Sequence, residues 1–179
     1  MAMRDAVAVA TRCVCFEVLL ERLTLEEDES TPIEQREAAR LAWVARASEL
    51  GIERALMADE RAMLECSVGG LTHADCDAIE VGTIKGLALL WALGRIPTLP
   101  DAAMLAQATT LVAHRGILGD GAIPAVHAAV ARAELRSRGE LNGALLTAVK
   151  AVGEHFLGGP EHMVASLVVE ALSLLDVAA

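Results

Sequence analysis

The stretch Leu87-Ala88-Leu89-Leu90-Trp91-Ala92-Leu93-Gly94 decides the fold. Eight consecutive residues without a charge are too many for a helix with one wet face, so this segment must be enclosed by protein. It closes a helix that opens near Thr72, where Asp75 three residues on completes a capping arrangement. Gly94 ends it, and Pro97 and Pro100 prevent its continuation. Helical spacing puts Gly82, Gly86, Leu89 and Leu93 on one stripe, with Ile84, Leu87 and Trp91 opposite. Two glycines four apart admit the backbone of a neighbouring helix. Each costs about 1 kcal/mol relative to Ala, so close packing is the natural compensation. The expectation is a central helix over 73–93, approached by another backbone on one side and filled by Trp91 on the other.

Composition agrees with a helical surround. The chain has 179 residues, 54% of them apolar but only 2% aromatic, with no tyrosine. Ala and Leu supply most of the apolar count, and both are strong helix formers, whereas strands favour β-branched and aromatic residues. No strand pattern, internal repeat or second-domain linker interrupts the chain. The predicted class is all-α: one domain over 1–179, an orthogonal multi-helix bundle of about seven to eight helices. The apolar content exceeds what one small core needs. Two readings follow, an oligomer interface or a densely packed monomer.

A net charge of −10 argues against nucleic acid and anionic membranes as partners, since both demand a cationic surface. No stretch approaches the 18 or so apolar residues of a membrane span. Asp5 and Arg12 break the pattern of a secretory signal. Four cysteines without a framework spacing read as reduced thiols, which places the chain in the cytoplasm.

The remaining elements follow from caps and stripes. A first helix spans Arg4 to Leu23, with apolar positions on two sides, and leads into an acidic, exposed linker at Glu26–Ser30. Thr31-Pro32-Ile33-Glu34 starts a second helix, with Thr31 as its cap. It runs to Leu50 and stops at Gly51. A short piece follows at Asp59–Cys66, and Ser67-Val68-Gly69-Gly70 breaks the chain. Asp101 caps a helix to Arg115, and further helices cover Pro124–Ser137, Glu140–Phe156 and Pro160–Val177.

Few residues combine into chemistry. His73, Cys76 and Asp77 stand at i, i+3 and i+4 on one helical face, and Cys66 is near enough in sequence to be a fourth zinc ligand. This is not a recurrent zinc spacing, and acids at a helix start equally complement its positive end, so no metal is assigned. Gly116-x-x-Gly119-x-Gly121 precedes a helix, yet a dinucleotide fingerprint needs different spacing and a preceding strand, and a loop between helices is the better reading. Glu154-His155 and Glu161-His162 flank a turn. They suggest a metal or acid–base site or, more simply, exposed residues at helix ends. Arg132, Arg136 and Arg138 form a basic patch with no aromatic to stack a base, which reads as a solvated face. No cofactor motif and no catalytic residue emerge.

The run Leu89-Leu90-Trp91-Ala92-Leu93-Gly94, followed by Ile96 and Leu99-Pro100, resembles a bacterial helical family catalogued as domain of unknown function 4272. Ala38-Ala39-Arg40-Leu41-Ala42-Trp43, the stretch Leu56…Leu64-Glu65 and Val126-His127…Leu135 are similar to its other motifs, so the likeness covers residues 35–150. That family tends to carry an aromatic-Arg-x-acid pattern before Leu89, where this chain has Val81-Gly82-Thr83-Ile84. If that pattern forms a shared site, it is lost here. His127 survives, and the reading is a buried, hydrogen-bonded histidine within an apolar helix. The resemblance carries no assigned activity. The function expected is a non-enzymatic interaction module that self-associates as a homodimer. The alternative is a small-molecule-binding domain or cryptic enzyme with a pocket near Trp91 and His127.

Overall fold

Polar clamps, as much as apolar packing, position the helices of this all-α chain. The computed structural model describes residues 5–105, 107–119, 122–154 and 158–175. Nine α-helices stand among them, and no strand. They are α1 (Ala6–Glu27), α2 (Ile33–Glu49), α3 (Ala58–Glu65), α4 (His73–Ala92), α5 (Ala102–Leu105), α6 (Ala108–Arg115), α7 (Ile123–Ala131), α8 (Arg138–Glu154) and α9 (Pro160–Ser173). The packings of α1 on α4 and of α8 on α9 are equally extensive, and α9 also lies against α4.

The central helix forms as its caps dictate. Thr72 accepts the Asp75 amide, and Asp75 accepts the Thr72 amide at 2.8 Å. Its first two turns are exposed or half-buried apart from Ile79, whereas every residue from Gly82 to Ala92 except Lys85 is buried. Gly94, at φ 68°, closes it in the left-handed region that glycine tolerates best.

The two glycines do admit a close neighbour, but it is a ring rather than a backbone. A Cβ added at Gly82 would stand 3.0 Å from Phe16 Cδ1, and one at Gly86 would stand 3.3 Å from Phe16 Cβ. Phe16 of α1 is therefore seated in the notch the glycines leave. On the same ring lies the Arg12 guanidinium, 4.2 Å from the centroid. Arg12 in turn holds both carboxylate oxygens of Glu60 on α3, one of them at 2.6 Å. Glu60 also accepts the Met57 amide that opens α3. One buried ion pair thus ties α1 to α3, and the same carboxylate accepts the amide at the start of that helix.

Several boundaries differ from the sequence expectation, each for a local reason. Helix α1 continues past Leu23 to Glu27, because Arg22 and Glu26 pair at i, i+4 across 2.8 Å. Glu26 is consequently no linker residue: it accepts the amides of Gly69 and Leu71. Arg22, with no side-chain exposure, donates to the Cys66 and Ser67 carbonyls. Glu37 and Arg40 of α2 hold the same connection from the other side, through the Val68 amide and the Glu65 carbonyl. Helix α2 begins after Pro32 without a side-chain cap, so Thr31 does not play the part expected of it. The helix expected over 101–115 is two pieces, with Gln107 as the N-cap of the second. The one expected over 124–137 stops at Ala131. His155, Gly121 and Val177 lie outside the described residues.

Candidate functional site

The residues singled out from sequence do not converge. Trp91 is 8% exposed and is covered by Arg136, whose guanidinium carbon sits 4.8 Å from the ring centroid. Arg136 Nε donates to the Trp91 carbonyl and Nη2 to that of Ile96. The expected solvated face at Arg132–Arg138 is thus corrected at Arg136, which caps the carbonyl end of α4, where a cation is favoured. His127 is exposed rather than buried, with Nε2 3.3 Å from the Leu50 carbonyl oxygen. The reason is that α7 is short and buries only Val126, so the next residue, about 100° around the helix, faces out. Neither Trp91 nor His127 lines the cavities described below.

His73 and Asp77 approach to 3.9 Å with side chains 95% and 60% exposed. Cys76, half-buried, has its thiol pushed up by burial. Among the described residues no group of three or more His, Cys, Asp or Glu is placed to hold a metal ion. His162 Nδ1 lies 3.1 Å from the Val152 carbonyl oxygen, linking α9 to α8. The cysteines in the centre of α1 are unsuited to nucleophilic work. Burial raises the Cys13 thiol and pushes Cys15 up to about 11, and the thiolate is the reactive form.

A cleft lies elsewhere, along α1. A cavity of about 320 Å³ opens between α1, α4, α6 and α9, floored by Leu20, Leu23, Ile84 and Met163. A second recess of about 100 Å³ adjoins it and shares Leu20, Thr24 and Thr109. Glu17 lines that recess although it is only 4% exposed. Its oxygens accept the amides of Ile117 and Leu118 at 2.7 and 2.5 Å. Gly116 makes this approach possible, since an added Cβ would stand 2.6 Å from Glu17 Oε2. Arg95 grips the opposite edge of the same loop, donating to the Arg115 and Gly116 carbonyls.

No cation lies within ion-pair distance of Glu17 among the described residues, and burial outweighs the two amide bonds. The carboxyl is held up to about 7. Sequence reasoning passed over Glu17, yet a signal existed. It is the one acid in the otherwise uncharged run Cys13–Leu20, and a charge surrounded in sequence by core residues must be buried with a purpose.

Comparison with protein-family models, with curated proteins and with solved structures yields no match for this chain.

Proposed function

We propose that the protein is a non-enzymatic interaction module that self-associates through the outer face of α8. The observation that carries this reading is the exposure of Leu146 and Val149, 70% and 51%, on a helix that buries only Leu141 and Ala148. Gly139, Gly143 and Gly153 share that side, and a Cβ added at any of them would meet nothing within 4 Å. Charge selects the occupant. A chain of net charge −10 repels its own copies over most of its surface, whereas α8 carries Arg138 and Lys150 against Glu140 and Glu154. Glu140 pairs with Arg136 and Lys150 with Glu154 at i, i+4. A neutral apolar face on an acidic protein suits a second copy, because apolar contact is gained there without like-charge repulsion.

No helix among the described residues is long and apolar enough to cross a membrane. The four free thiols support a reducing compartment, the cytoplasm. Membership in the family of domain of unknown function 4272 is part of the same proposal, and the hexapeptide Leu89–Gly94 is what supports it. Light scattering coupled to size exclusion tests the assembly. A dimer at micromolar concentration, converted to monomer by Leu146→Glu with Val149→Glu, is the expected result. A wild-type monomer at a hundred micromolar overturns it.

A further inference from the structure

The geometry points to the cleft along α1 as a binding site for a small primary ammonium with an apolar body, its cationic head against Glu17 and its tail on the floor of Leu20, Leu23 and Ile84. This stands independently of self-association, since α8 contributes nothing to the cleft.

Three observations combine. First, Glu17 is a carboxylate only 4% exposed that has amide partners and, among the described residues, no cation within ion-pair distance, Arg95 acting on it only from farther off. Buried carboxylates are ordinarily paired with a cation. Each oxygen has one amide contact and keeps a further lone pair. Second, a recess that Glu17 lines adjoins the larger cavity, to which Leu20, Leu23 and Ile84 give an apolar side. Together they fall in the size range of small-molecule sites, apolar walls with a few placed polar groups. Third, every charged residue among those lining the cleft is an acid: Glu17 and Glu21 in the recess, Glu27 and Glu80 at the larger mouth. Carboxylates in series along a concave surface steer a cation inward and exclude an anion of the same shape.

The anchor also explains the loop geometry. Glu17 and Arg95 hold residues 115–118 from opposite edges, so the wall of the recess is set before any ligand arrives. Pre-set polar groups lose little on binding, which favours recognition of a small molecule.

The test compares three probes of equal length, n-hexylammonium, hexan-1-ol and hexanoate, by calorimetric titration at low ionic strength. The ammonium is expected to saturate a single site, about tenfold or more tighter than the alcohol, with no binding of hexanoate. Glu17→Gln is expected to bring the ammonium down to the alcohol's affinity. Glu27→Gln with Glu80→Gln, both at exposed positions, is expected to weaken it by about two- to fivefold. Equal affinity for ammonium and alcohol overturns the proposal, and so does unchanged ammonium binding in folded Glu17→Gln. If circular dichroism shows that Glu17→Gln does not fold, the probe comparison in the wild-type protein and the rim double variant decide the matter alone.

Discussion

Helices α1 and α8 have comparable proportions of charged residues, six of 22 and four of 17, and opposite fates. Thirteen of the 22 residues of α1 are buried, and only two of the 17 of α8. The difference lies in what surrounds the charges. On α1, Arg12, Glu17 and Arg22 are all buried, and each reaches a different element: α3, the loop after α6, and the connection before α4. On α8 the charges pair locally at i, i+4 or with adjacent Arg136 and fasten nothing distant. Three charges with distant partners make α1 the spine of the molecule, and their absence leaves α8 at its margin.

Substitutions should separate the two helices sharply. Phe16→Ala removes the ring from the glycine notch and leaves Arg12 without its stacking surface. A loss of about 3–5 kcal/mol is expected, read from urea denaturation. Glu60→Ala strands a buried guanidinium and should cost about 3 kcal/mol, with the start of α3 losing its amide acceptor. Hydrogen exchange would place that loss at residues 57–60, and uniform protection there would break the assignment.

Glu17 gives a pH signature with a definite sign. Its carboxyl rises from an ordinary 4.5 to about 7 on folding, so the folded chain binds the proton more tightly. Its contribution is full below pH 4.5 and is lost as pH rises through 7, a change on the order of 2–3 kcal/mol. Denaturation between pH 5 and pH 8 should show this decline, and Glu17→Gln should flatten it. Glu37, drawn down to about 2 chiefly by Arg40, acts in the other direction, its contribution fading as pH falls from 4.5 through 2. The smallest effect belongs to α8. Leu146→Ala should change monomer stability by under about 0.5 kcal/mol, and a larger loss would mean that its exposed face is not free.

The sequence read well where the physics is local. The caps at Thr72, the stop at Gly51, the break at Gly69 and the burial of Leu87–Ala92 all follow from neighbours a few residues apart. Phe16 in the Gly82–Gly86 notch was half legible: the notch is written in the spacing, its occupant is not. Glu17 and Glu26 accept amides 100 and 43 residues away, which no neighbour in sequence announces. Arg136 illustrates the same limit, since an arginine in a basic run looks solvated until the end of another helix is brought beneath it.

That contact between Arg136 and Trp91 also gives the molecule its own reporter. The chain has two tryptophans and no tyrosine, so its ultraviolet emission comes from Trp43 and Trp91 alone. The first is half-buried, with Arg46 5.4 Å from its ring centroid. The second is enclosed at the end of α4. With Trp43 replaced by Phe, the remaining indole becomes a single lamp at the structural axis, and its colour records whether the guanidinium still lies across it.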